Sequence, residues 1–246
     1  MSFLRIFLAL WLALTPAYAG QISLLGAGKI TAGGGGPASF TFGGNIGTSG
    51  PQSSSPYTVT GTFNTGASDL AVVEFVQERD THTGTITSVS VASTTLTCQD
   101  GTNNGGDRTS ICYGSAGAQT TATISVTFTG TIHIWTGTGK IVTTTPTPSA
   151  SNLSTGTQGG GVAVPFNFAC TVPSNGVAVG ILGDYFTSGT RSFSSVTPTQ
   201  DAIINDAAEN GTSIAMGHTT TAGSAGITVA GTASIFPSWA VVCWGP

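Results

Sequence analysis

The 246-residue chain draws about 42% of its residues from Gly (36), Thr (42) and Ser (26), all poor helix formers, which excludes a helical bundle. Only 7% are charged, against about 25% in an average domain, yet 39% are hydrophobic and recur in short runs, which excludes disorder. Six Lys and Arg against ten Asp and Glu give a net charge of -4 with no basic footprint, so nucleic acid is not an expected partner. An all-β, soluble protein is expected.

Residues 1–19 carry one basic residue, Arg5, then an apolar run over 6–14, Pro16 and Ala17-Tyr18-Ala19. A short apolar stretch ahead of an A-x-A site is the pattern of a cleaved secretory signal. The run is too short for a bilayer span, which takes about 20 residues, so no stable membrane span is expected after cleavage. Residues 20–56 are rich in Gly, Ser and Pro, with Gly26, Gly28 and then Gly33 to Gly36, and read as an extended arm rather than a packed layer.

Strand-like runs begin at Tyr57, with Val59 and Phe63 on the same face. Residues 70–76 are apolar on both faces except at Glu74 and read as a central strand. Residues 85–91 and 122–128 alternate, with Ile124, Val126 and Phe128 inward, and 131–135 continues the series. The second half repeats this order. Leu70-Ala71-Val72-Val73 matches Val177-Ala178-Val179-Gly180 at an offset of 107, as Ser88-Val89 matches Ser195-Val196. Thr109-Ser110-Ile111 then matches Thr212-Ser213-Ile214 at 103, and Ile124, Val126 and Ile132 match Ile227, Val229 and Ile235. The expectation is two duplicated β-sandwich, jelly-roll-like units over 57–142 and 162–246. A Thr/Pro/Gly linker over 143–161 joins them, and the four-residue difference falls in the loop between Val89 and Thr109. Residues 201–209 have a helix-like look but align with strand and loop in the first copy, so they read as a strand end and a turn.

Four cysteines in an exported chain suggest two disulfides with three possible connectivities. Cys98 and Cys112 bracket a Gly/Asn-rich loop between two strand-like runs, which favours pairing them; Cys170 and Cys243 pair by elimination. No C-x-x-C occurs, which rules out a zinc ribbon.

The densest ionisable cluster is Glu74, Glu78, Asp80 and His82, whose even spacing puts them on one strand face. Paired carboxylates there could do acid–base work, or Asp80 and His82 could hold a metal; the plainer reading is a solvated strand end. The positions matching Gln77 and Glu78 in the second copy are Asp184 and Tyr185, so the carboxylate set lies outside the repeated framework. His82, His133 and His218 show no zinc spacing, and no metal or cofactor is expected. Gly26-Ala27-Gly28-Lys29 fails the phosphate-loop pattern, with Ser23 and Ile30 at its flanking positions. Trp135 and Trp239 nearly correspond, at an offset of 104, and read as core residues of each copy. Tyr185 and Phe186, flanked by Gly and Ser, are the better surface-contact candidates, with Glu78, Asp80 and His82 beside them.

Leu24-Leu25-Gly26-Ala27-Gly28 with its glycine run, Thr85 to Val91, and the closing Pro237-Ser238-Trp239-Ala240-Val241-Val242 resemble a loosely defined group of β-rich virion proteins. These are encoded with tailed-phage and prophage genes and labelled tail-fibre or minor-tail proteins. The resemblance implies a non-enzymatic structural or attachment role with no catalytic residue. The expected partners are neighbouring virion or cell-surface proteins and surface glycans, and the chain is expected to form homo-oligomers. The signal-like start departs from that group, so the expected location is the virion or the extracellular space. The rival readings are an exported bacterial adhesion protein of the same fold and a carbohydrate-active enzyme using Glu78, Asp80 or Asp184.

Overall fold

Alternation with period two sets the local structure. In Gln119–Thr129, Ala122, Ile124, Val126 and Phe128 are buried while Thr121, Thr123 and Thr127 are exposed, the pattern of a strand with one wet face. The computed structural model describes residues 37–48, 50–78, 83–101, 108–142, 150–157, 162–184, 192–206, 212–224, 226–232, 234–235 and 237–245. Among them the regular elements are all strands, so the chain is all-β. The signal-like segment 1–19 and the arm up to residue 36 lie outside the described residues.

The first half contains β1 (Ser39–Thr48), β2 (Tyr57–Thr65), β3 (Leu70–Glu78), β4 (Thr85–Val91) and β5 (Thr94–Thr95). It continues with β6 (Thr97–Asp100), β7 (Arg108–Gly114), β8 (Gln119–Thr129) and β9 (His133–Val142). They form an antiparallel sheet in the order β1-β9-β3-β7-β6 and a second in the order β2-β8-β4-β5. The second half contains β10 (Ala150–Thr157), β11 (Val162–Ala163), β12 (Phe166–Ala169), β13 (Val177–Asp184) and β14 (Phe193–Thr197). It continues with β15 (Thr199–Asp206), β16 (Thr212–Thr219), β17 (Gly226–Gly231), β18 (Ser234–Ile235) and β19 (Pro237–Trp244). Its sheets run β10-β19-β13-β16-β15 and β12-β17-β14, with β11 and β18 paired apart. With the short strands β5, β11 and β18 left aside, the strands of the two halves follow the same order in their sheets.

The ladder registers follow the sequence offsets with one correction. Val89 pairs with Val126 and Val196 with Val229; Leu70 pairs with Ile141 and Val177 with Trp244, as offsets of 107 and 103 require. Between β3 and β7, however, Val72 faces Tyr113, while Val179 faces His218, an offset of 105. The four-residue difference is therefore divided, two residues before β7 and two after it, rather than falling wholly before Thr109. Ile111 corresponds by register to Met216, not to Ile214. A two-residue slip keeps the same face of a strand, so the matched Thr-Ser-Ile strings remain consistent with the burial pattern while misplacing the loop. Trp239 likewise corresponds to Thr136 rather than to Trp135, so the two tryptophans are not equivalents.

Two stretches expected to stand outside the sheets are parts of them. β1 belongs to the segment read as an arm, and its Ala38 and Phe40 flank are buried. Its glycines permit close approach: a Cβ on Gly43 would collide with the Thr62 carbonyl of β2. β10 lies within the segment read as a linker and pairs with β19 along its length. Composition alone mistook Gly- and Ser-rich edge strands for connections.

The described strands belong to one compact unit, and its core has three layers. One lies between the two sheets of the first half, with Ala71, Val73 and Phe75 of β3 against Ile124, Val126 and Phe128 of β8. Another lies between the sheets of the second half, with Ala178 and Leu182 of β13 against Phe168, Ile227 and Val229. The third lies between the five-stranded sheets, where Leu70, Val72, Val76 and Ile111 meet Val179, Ile181, Met216, Val242 and Trp244. The stack is thus four sheets deep. β3 and β13, the centres of the inner sheets, are buried on both faces, as their apolar sequence requires.

This middle seam is fitted by contacts from both halves. Tyr113 of β7 stands edge-on to Trp244 of β19, with ring centroids 5.1 Å apart. At the same face, Thr109 donates its amide to Ser238 Oγ at 3.2 Å. On the other side of β3, Gly137 of β9 makes room for Met216: a Cβ there would lie 2.6 Å from the Met216 sulfur. Gly139 does the same for Phe40. Two disulfides complete the frame. Cys98–Cys112 joins paired residues of β6 and β7, and Cys170–Cys243 ties the outer sheet of the second half to β19.

Closing 73 residues constrains an unfolded chain more than closing 14. Replacing Cys170 and Cys243 with Ser should therefore cost about 4 kcal/mol, against about 3 kcal/mol for Cys98 and Cys112, by chain entropy. Urea unfolding of the two double variants measures the difference. Gly139→Ala should destabilise by about 1–3 kcal/mol through overpacking against Phe40, and Phe40→Leu in the same chain should recover part of that loss.

Candidate functional site

Polar side chains are concentrated at one end of the inner sheets. β3 and β13 run the same way, because β7 and β19, their antiparallel neighbours, meet through both Thr109–Ser238 and Tyr113–Trp244. Glu78 and Asp184, the last residues of β3 and β13, therefore share an end with Thr109, His133, Ser213 and Ser238, and all six are buried. Glu78 is paired by register with His133, and Asp184 with Ser213.

This corrects the reading of Glu78 as a surface contact. Residues of even number on β3 face the second half, whose inner sheet covers them, so Glu78 is buried rather than solvated. Asp80 and His82 follow β3, and Tyr185 and Phe186 follow β13; all four lie outside the described residues. Gln77 and Asp184, equivalent by register, are both buried on the faces turned toward their own sandwich cores. Gln77 donates Nε2–H to the Gly84 carbonyl at 2.6 Å and so holds the chain where it enters β4. Arg108, beside Gln77 in the ladder, forms an ion pair with Asp100, whose other carboxylate oxygen accepts from the Ser110 hydroxyl.

A second polar group lies deeper in the seam. Glu74 is wholly buried, and neither carboxyl oxygen has a hydrogen-bond partner among the described residues. Across the seam, Asp201 of β15 accepts from His218 Nδ1 of β16 at 2.8 Å and 2.9 Å. The His218 ring also stands edge-on to Phe40 of β1, with centroids 5.3 Å apart. Burial pushes the Glu74 carboxyl well above its usual range, and the nearby Asp201 charge pushes it the same way. Glu74 was legible as the one polar residue in an apolar strand. Asp201 and His218 were not, because nothing in their spacing announces that they share a strand pair. Among the described residues, no three His, Cys, Asp or Glu side chains are grouped to hold a metal ion.

No protein-family model, curated protein or solved structure matches the chain.

Gln77→Ala should leave the buried Gly84 carbonyl without its donor and cost about 1–3 kcal/mol. Faster amide exchange at the start of β4 in that variant, with the rest of the outer sheet unchanged, is the measurement that checks it.

Proposed function

We propose that the chain is a non-enzymatic structural and attachment protein, a component of a tailed-phage or prophage virion appendage built from two duplicated sandwiches. The observation that supports this reading is the face-to-face packing of two halves of like strand order through their five-stranded sheets. A seam of that kind makes a rigid block of two units, and jelly rolls serve as building and binding modules in viral capsids and lectins. The outer sheet of the first half supports the same role. Thr58, Thr60, Thr121, Thr123 and Thr127 stand exposed on paired strands β2 and β8, and these strands carry no charged residue. β3, β6, β13 and β15 all run the same way and finish at one end of the stack. The partners proposed for such a block are neighbouring proteins or surface glycans.

A second reading, an exported bacterial surface or adhesion protein, is favoured by the two disulfides, which persist in oxidising surroundings. Fractionation separates the two. After prophage induction of the source strain, particles purified on a density gradient should contain the chain at constant stoichiometry to the major capsid protein. Its recovery from the envelope or medium of uninduced cells, with none in the particles, would establish the adhesion reading instead.

A further inference from the structure

The group around Glu74 has a feature that packing alone does not explain. An apolar residue at position 74 would continue the pattern of Val72 and Val76, yet a carboxyl stands there with both oxygens unpartnered among the described residues. Among the described residues, the charge that bears on it is Asp201, which lies at a bulge: Gln200 pairs with Gly217 and Ala202 with Met216, which leaves Asp201 as the extra residue of β15. Bulges re-aim side chains, and this one leaves the Asp201 side chain almost wholly covered, against His218. β15 is an edge strand with a backbone ladder on one side only, to β16; its further ties are side-chain hydrogen bonds of Asn205 and Gln200 to Phe193 and Val196 of β14. Without a second ladder, it gives up fewer backbone hydrogen bonds on moving than β3 or β16, which are paired on both sides.

We propose that β15 is a proton-gated edge: it lies closed on the stack while Glu74 is protonated and is released when Glu74 gives up its proton. Loss of the proton places a second negative charge beside Asp201 inside an apolar seam, where water does not screen it. The whole seam cannot yield to one charge, because it also holds the large apolar surfaces of Leu70, Val72, Ile181 and Trp244. The edge strand can, by carrying Asp201 outward and admitting water to Glu74. Among the described residues, the titratable groups on the elements around this place are the following. β3 contributes Glu78 on the same face, β9 contributes His133, β7 contributes Tyr113, β15 contributes Asp201 and β16 contributes His218. The described portions of β1 and β13 turn only apolar groups toward Glu74, among them Phe40, Val179 and Ile181.

The sign follows from proton linkage. The closed form holds the Glu74 proton more tightly than the open form, so opening binds fewer protons and is favoured as pH rises. Between the ordinary carboxyl value and the raised one, one proton is lost per opening, and the opening equilibrium should climb about tenfold per pH unit.

Hydrogen–deuterium exchange of the full chain, from mildly acidic to mildly alkaline pH and corrected for intrinsic rates, tests this. Peptides over 199–206 should lose protection about tenfold per pH unit while peptides over β3 and β13 stay protected. In Glu74→Gln, which keeps the shape without the ionisation, protection of 199–206 should be independent of pH. Glu74→Met serves the same purpose if the amide variant folds poorly. A wild-type edge whose protection does not vary with pH would overturn the proposal. So would an undiminished slope in both Glu74 variants, and so would a slope abolished by His218→Gln but kept in Glu74→Gln, since histidine would then be the titrating group.

Discussion

Everything else in this molecule depends on the burial of two strands on both faces. β3 and β13 have no wet side, so each must be covered twice: once by the outer sheet of its own half and once by the inner sheet of the other. A single sandwich of either half would expose Leu70, Val72 and Val76, or Val177, Val179 and Ile181, as a continuous apolar face. The seam removes both faces from water together. It is also why the halves have one compact unit between them while each retains a core of its own.

The seam explains where glycine is spent. Gly137 and Gly139 alternate with Thr136 and Thr138 along β9, and the two glycines face the seam, where Met216 of the second half and Phe40 of neighbouring β1 fill the space that side chains would have taken. The threonines face the first-half core, and Thr138 donates its hydroxyl to the Thr62 carbonyl of the outer sheet at 2.8 Å. Glycine in a strand is a weak choice for its own sake, so its placement here records a close approach rather than a turn. The few charges follow the same economy. With so little ionisable material, the chain places Glu74, Glu78, Asp184 and His133 inside rather than on the surface. That is the reverse of ordinary usage and marks the inner sheets as the place where electrostatics can act.

The two disulfides divide the labour of the frame unevenly. Cys98–Cys112 fastens an edge strand to its neighbour within one sheet, whereas Cys170–Cys243 crosses between the two sheets of the second half. The first protects an exposed edge, and the second holds a sandwich closed. The opposite edge of the second half, β15, has no such fastening and carries an inward carboxylate at a bulge. Both devices are ways of managing an edge strand, one covalent and one electrostatic.

The sequence by itself determined the class and the faces. Thr- and Val-rich alternation cannot sit as helix, and the two-residue period sets inward against outward residues, so Ile124, Val126 and Phe128 were legible as core. Offsets of 107 and 103 anticipated which strands pair alike in the two halves, and the bracketing of a Gly/Asn loop picked out Cys98 with Cys112. Local pattern reaches no further than one strand. Only the tertiary structure decided that β1 and β10 are edge strands, because a Gly- or Ser-rich stretch pairs or dangles according to whether a neighbour presents a free ladder. Only it decided that Glu78 is covered, that Asp201 pairs with His218 and that the Asp201 charge bears on buried Glu74. Those residues come from strands more than a hundred positions apart, and what joins them is the need to hide the second face of β3.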